Sequence, residues 1–232
     1  MKKFGWVTAL DGVSWEIEPG QIVAVLGSNG AGKTTLLETL AGVAPSDSGQ
    51  VFMDGEPYRP DRDDLRRRFA YIPDIPPAPA FWTPLRFIST LLKLYHTPTE
   101  GLQERVVELL EDMDLLGVAR WPLGRLSRGQ FYKSILAGFL AADPEVWFVD
   151  EPFSSGMDPR GLDTFKHYAL EASKRGRTIV FTTQLIEIAA QFAHTVCVLD
   201  HGKIQTCTTA AELRKSSALA ELLAKGPGDT AR

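Results

Sequence analysis

The chain has 232 residues, 44% of them hydrophobic, which suits one large domain or two small ones with a sizeable core and excludes a disordered chain. Its 25 Lys and Arg against 29 Asp and Glu leave a net charge of −4, too little basic field for non-specific nucleic-acid binding. The longest uninterrupted apolar stretch, residues 135–142, falls far short of the roughly 20 residues that cross a bilayer.

No long apolar segment follows Met1, where Asp11 and Glu16 soon intervene, so the expected address is cytoplasmic. Residues 9–26 and 50–58 carry alternating segments and turn signals (Glu18-Pro19-Gly20, Asp54-Gly55), which predict a small antiparallel sheet. Within the first of these, Ile22–Leu26 is an apolar run rich in β-branched residues; a glycine-rich loop at 27–35 and a helix-like segment at 36–40 follow it. The run Arg66-Arg67-Arg68 reads as a solvated face, because Asp61, Asp63 and Asp64 adjoin it.

Residues 83–142 read as helices, with Thr83 as a cap, Pro84 at the first helical position and a stripe of Phe87, Ile88, Leu91, Leu92 and Tyr95. Two further apolar runs are Val146–Val149, which ends in Asp150-Glu151, and Thr178–Thr183, which ends in Gln184. Continuous apolar strands of this kind predict a parallel sheet covered on both faces.

A two-residue hairpin turn at Asp200-His201-Gly202-Lys203 would set Cys197 opposite Thr206 and put Cys207 on the other face, so a disulfide is disfavoured. The two cysteines and four histidines show no zinc-ligand spacing. No internal repeat is present, and residues 226–232 read as a loose tail.

Gly27-Ser28-Asn29-Gly30-Ala31-Gly32-Lys33-Thr34 matches GxxxxGK[ST], placed between a strand and a helix as the motif requires. In such a loop, backbone N–H groups and a helix amino-terminus face phosphate, the lysine neutralises β- and γ-phosphate, and the threonine ligands Mg²⁺; Thr35 completes the nucleotide-binding set. Hydrolysis also needs carboxylates. Asp150 is the expected metal ligand and Glu151 the general base that polarises the attacking water.

Leu126-Ser127-Arg128-Gly129-Gln130 resembles the LSGGQ signature of ABC transporter ATPases, with Arg128 in place of the first glycine, and Ser155-Gly156-Met157-Asp158 resembles their D-loop. The resemblance covers nearly the whole chain and the order of its motifs. It implies an α/β P-loop (RecA-like) parallel-sheet core with an antiparallel β subdomain and a helical insert. Core and antiparallel subdomain would occupy about 1–74 and 143–225, and the helical subdomain about 75–142, of a single 1–232 domain. It implies ATP and Mg²⁺ as cofactors and a second ATP-binding subunit, identical or different, as partner. Ser127, Gly129 and Gln130 of one chain would then face the triphosphate held by the other chain's P-loop. It further implies transmembrane permease subunits, and a place on the inner face of the cell membrane. Phe4 stands where the family has its A-loop aromatic, with Trp6 as alternative; the competing reading is an aromatic that packs the small sheet. Family members commonly carry a further strand ahead of that aromatic, and this chain reads as lacking it.

Two further positions depart from the pattern. Asp74 stands where the family has a glutamine and reads as a variant metal and water contact; some exporter-type members have an acidic residue there. Gln184 replaces the switch histidine: its amide donates to phosphate but does not titrate near neutral pH. Glu151, Lys33 and Gln184 are the expected catalytic residues, in a slow but competent ATPase. The alternative is a catalytically weak regulatory module in a heterodimeric complex; an unrelated P-loop kinase is disfavoured by the signature. Phe81 and Trp82 would line a groove for a membrane subunit, or else be buried.

Overall fold

A computed structural model describes residues 1–58 and 62–215. Its strands are β1 (Lys2–Phe4), β2 (Val7–Leu10), β3 (Ile22–Leu26), β4 (Phe52–Met53), β5 (Glu56–Pro57), β6 (Phe69–Ile72), β7 (Val146–Val149), β8 (Thr178–Thr183), β9 (Thr195–Asp200) and β10 (Lys203–Thr209). Its α-helices are α1 (Lys33–Leu40), α2 (Asp63–Arg66), α3 (Pro84–Leu94), α4 (Leu102–Asp112), α5 (Arg128–Ala142), α6 (Pro159–Lys174), α7 (Ile186–Phe192) and α8 (Ala210–Lys215).

Six strands form the central sheet in the order β10-β9-β3-β8-β7-β6, parallel throughout except for β10, which returns antiparallel beside β9. Every residue of β3 and β8 is buried, which is why these segments read as unbroken apolar runs. The pleat still sorts them by period two. Ile22, Ala24, Leu26, Trp147, Val149, Ile179 and Phe181 join the larger core under α3 to α7, whereas Val25, Phe148 and Val180 pack with Leu36 and Leu37 of α1. Among the helices between β6 and β7, α3 lies against α5 so closely that a Cβ on Gly138 would stand 2.8 Å from the Leu91 side chain. The Tyr95 hydroxyl donates to the Phe69 carbonyl at 2.7 Å and ties this layer to β6.

The amino-terminal region differs from the expected single antiparallel sheet. It forms two separate hairpins, β1-β2 and β4-β5, and residues 11–21 contain no strand. A turn through Gly5 lets Lys2–Phe4 pair with β2, which places Phe4 at the end of β1. Polar company settles the arginine run as expected: Arg66 pairs with Asp63, and Arg68 with Asp54 and Glu145. Residues 226–232 lie outside the described residues.

The cysteine expectation is overturned. Lys203 and Ile204 pair with Asp200 and Leu199 as the two-residue turn predicts, but an irregularity between Ile204 and Thr206 inserts one residue, and Cys207 then faces Cys197. A one-residue slip carries every later side chain to the opposite face, and the two cysteines are joined by a disulfide.

Candidate nucleotide site

The loop after β3 turns inside a tight backbone frame. A Cβ on Gly27 would stand 2.5 Å from the Leu199 carbonyl oxygen, and one on Gly32, whose φ is 103°, would stand 2.5 Å from that of Ala9. Glycine is therefore required at both positions. Gly32 offers α1 no side-chain cap and the first turn holds no acidic residue, so this helix amino-terminus keeps its N–H groups for an anion.

Lys33 opens that helix and folds back over the loop. Its ammonium donates to the carbonyls of Gly27 at 2.8 Å and Ser28 at 3.1 Å, and stands 3.2 Å from Glu151 Oε1. The Thr34 hydroxyl donates to Asp150 Oδ2 at 2.7 Å, and the Thr182 hydroxyl donates to Asp150 Oδ1 at 2.5 Å while accepting from the Glu151 N–H at 2.8 Å. The strands β3 and β7 thus deliver Lys33, Thr34, Asp150 and Glu151 to one place beyond their carboxyl ends, where ligands bind in open α/β sheets, and β8 between them adds Thr182.

Glu151 has a left-handed backbone, φ 46° and ψ 46°, uncommon for a residue with a side chain and held here by the Thr182 bond. Its Oε1 is buried and accepts no hydrogen bond, with Lys33 as its charged neighbour. The Gln184 amide donates to Asn29 Oδ1 at 2.9 Å, which puts the residue at the switch position against the P-loop. His194 is structural: its Nδ1 accepts from the Ile22 N–H at 3.1 Å.

At the other motif, α5 begins at Arg128. Ser127 is the cap: its Oγ accepts from the Gln130 N–H and its own N–H donates to Gln130 Oε1, both at 3.1 Å, a reciprocal capping box. The turn rests on the D-loop, where a Cβ on Gly129 would stand 2.4 Å from the Gly156 carbonyl oxygen. Lys133, nearly buried, bonds Asp158 at 3.0 Å, and the Gly161 N–H, followed by that lysine, holds the Asp158 carboxyl below its usual range. Asp74 is drawn to Arg128 at 3.2 Å. Among the described residues, Ser127, Gly129 and Gln130 are bonded within their own turn and against the D-loop, not to the P-loop.

Phe4 is 53% exposed, with the Lys2 ammonium 5.2 Å from its ring centre, and Trp6 is fully exposed at the β1-β2 turn. Neither packs a core, so both rings present free faces. Thr182, which orients both Asp150 and Glu151, was missing from the expected site; its signal is only that a threonine ends up opposite a carboxylate one strand away.

The sequence profile of the family described as ABC transporter matches residues 10–154. The chain belongs to the ABC transporter family. Among relatives of this ABC ATPase, the energy-coupling factor transporter ATP-binding protein EcfA of Methanothermobacter thermautotrophicus is 34% identical over 218 residues, 91% of this chain and 69% of that one. The ABC-type transporter ATP-binding protein EcsA of Bacillus subtilis is 27% identical over 206 residues, 89% of this chain and 83% of that one. An ATP-binding subunit of an ABC transporter superposes with a TM-score of 0.88 at 22% identity, covering 97% of this chain and 95% of that one. A dimeric ATP-binding cassette in a post-hydrolysis state, bound to ADP and Pi, superposes with 0.78 at 23% identity, covering 90% and 94%. These two likenesses establish the P-loop α/β fold. The chain is an ATP-binding, ATP-hydrolysing subunit of the ABC class, and none of its described helices is long and apolar enough to cross a membrane.

Proposed function

We propose that this ABC ATPase closes on a second ATP-binding subunit around ATP and Mg²⁺, and so moves transmembrane permease subunits from the inner face of the cell membrane. The observation that carries this reading is the convergence of Lys33, Thr34, Asp150 and Glu151 within bonding distance beyond the ends of two strands, β3 and β7. The relatives' names support the membrane part: EcfA is named for an energy-coupling factor transporter, and a Burkholderia pseudomallei relative, 30% identical over 202 residues, for Nod factor export.

Lys33 satisfies itself on loop carbonyls and Glu151 until phosphate offers more charge, then turns to the β- and γ-phosphates. The backbone N–H groups of Ser28, Asn29, Gly30, Ala31 and Gly32, with Thr35 in the first turn, line the anion site; Phe4 offers a face to the base. The Thr34 hydroxyl and the Asp150 carboxylate, already bonded to each other, would hold a magnesium ion. When bound, that ion neutralises developing charge on the phosphates. Glu151, freed from Lys33, accepts the proton of the attacking water, and Gln184 donates to the γ-phosphate from beside Asn29.

Glu151→Gln tests this reading. The variant is expected to lose roughly 100-fold or more in ATP turnover and to form an ATP-dependent dimer visible by size-exclusion chromatography with light scattering. A variant that stays monomeric with ATP and Mg²⁺ sinks the sandwich; one that transfers phosphate to a small acceptor points to a kinase.

The second reading, a weak regulatory module, is favoured by one contact, the Gln184 amide already engaged on Asn29. Gln184→His is expected to raise turnover severalfold if the amide limits the rate. An unchanged rate would show that the substitution is compensated elsewhere. Phe81, 74% exposed, and Trp82, half-buried under Arg86 at 4.9 Å, support a docking face for a membrane subunit on the helical insert.

A further inference from the structure

Two of the three uncommon residues of the motif set meet. Asp74 replaces a glutamine in the loop after β6, Arg128 replaces a glycine in the signature, and Arg128 Nη2 lies 3.2 Å from Asp74 Oδ1. The same guanidinium reaches toward the Ser154 carbonyl at 3.4 Å, and its aliphatic stem lies over Gly156.

Stability does not explain the pair. The two side chains are 62% and 41% exposed, and an ion pair of that kind adds little in water. Arg128 also stands at the wrong end of its helix. The first turn of a 15-residue helix is its positive pole, where cations are disfavoured, and no acidic residue of that turn offsets the guanidinium. A positive charge placed on a positive helix end favours an anion more highly charged than one half-exposed carboxylate. Arginine suits phosphate in particular, through paired N–H donors.

The helix carries a second unsatisfied group beside Arg128. Tyr132, one turn along α5, is 1% exposed and its hydroxyl has no partner. Burial foremost, then the charges of Asp74 and Asp150, push its phenol up.

We propose that Arg128 is a catalytic residue acting in trans: parked on Asp74 in the nucleotide-free chain, it exchanges that carboxylate for the γ-phosphate of ATP held by the P-loop of a second copy. The inference rests on the head-to-tail sandwich proposed above. Asp74 is then a positioning residue that keeps the guanidinium beside the D-loop until the partner's triphosphate arrives.

Complementation tests this. Arg128→Ala is expected to lower ATP turnover about 100-fold, the loss typical of one preorganised donor to developing charge, and to melt at nearly the parental temperature. Lys33→Ala, with an intact Arg128, is inactive for a different reason. Mixed, the two variants form one composite site with the P-loop of the first and the arginine of the second, so the mixture is expected to regain at least about tenfold over either alone. Arg128→Lys, with its charge kept and its fork lost, is expected to fall in between and to regain rate with the same Lys33→Ala partner. ATP-dependent dimerisation of Glu151→Gln is measured alongside. Absence of that dimer defeats the sandwich itself. If the dimer forms, a parental rate in Arg128→Ala or Arg128→Lys, or a mixture no faster than its parts, overturns the role of Arg128.

Discussion

Replacing Lys33 with alanine is expected to do two things, a loss of ATP turnover of about 10²- to 10³-fold and a fall in stability of the nucleotide-free chain. The first follows from removing the one cation that the loop aims at phosphate. The second follows from the pair it makes in the absence of nucleotide. Lys33 and Glu151 are only 7% and 14% exposed, and stripping one partner from a buried pair costs about 3 kcal/mol because the other charge is left behind. Thermal unfolding checks it: Lys33→Ala should melt lower by roughly 10 °C, and adding Glu151→Gln should recover part of that loss. A single variant that melts at the parental temperature would show that Glu151 is stable without Lys33, and the account of Lys33 as its counter-charge would fall.

Gly129→Ala is expected to be nearly as damaging while touching nothing in the P-loop. Its Cβ would lie 2.4 Å from the Gly156 carbonyl oxygen, a backbone atom that cannot swing aside, so α5 and the D-loop must separate. Overpacking of this kind costs about 1 to 3 kcal/mol, and the separation displaces Ser127 and Arg128 together. Turnover should fall roughly 100-fold. Nucleotide binding by the isolated chain, read by fluorescence of a nucleotide analogue, should be nearly parental, because Gly27, Lys33 and Thr34 belong to another part of the fold. Equal loss of both would mean that the signature turn supports the P-loop of its own chain.

The sheet was legible because its strands are covered on both faces: unbroken runs such as Ile22–Leu26 and Thr178–Thr183 have few other uses, and a GxxxxGK[ST] loop fixes a strand on one side of itself and a helix on the other. The small hairpins were not, since β4 and β5 are two residues each and no hydrophobic period shows in two residues. The start of α5 is readable: Ser127 followed at the third position by Gln130 is a capping-box pattern. The Cys197–Cys207 bond was not readable, because one extra residue near Gln205 inverts the faces of a strand and leaves no mark in composition. Contacts such as Thr182 with Asp150, or Arg128 with Asp74, join residues 32 and 54 apart and appear only once the strands are ordered.

The frame around the P-loop also bears on how fast ligand can be taken up. Ala9 and Leu199 crowd Gly32 and Gly27 by their carbonyls, the Gly202 N–H bonds the Ala31 carbonyl, and the Asp11 N–H bonds the Gly202 carbonyl, each at 2.9 Å. The receptor for phosphate is thus preorganised by two distant segments of chain, and the entropy of shaping it is spent during folding rather than at each encounter with ligand. Association with nucleotide is then a docking step limited by diffusion and by exchange of the Lys33 contacts, and the bonded Asp11 and Gly202 amide hydrogens that brace this loop are expected to be protected from exchange before any ligand is added.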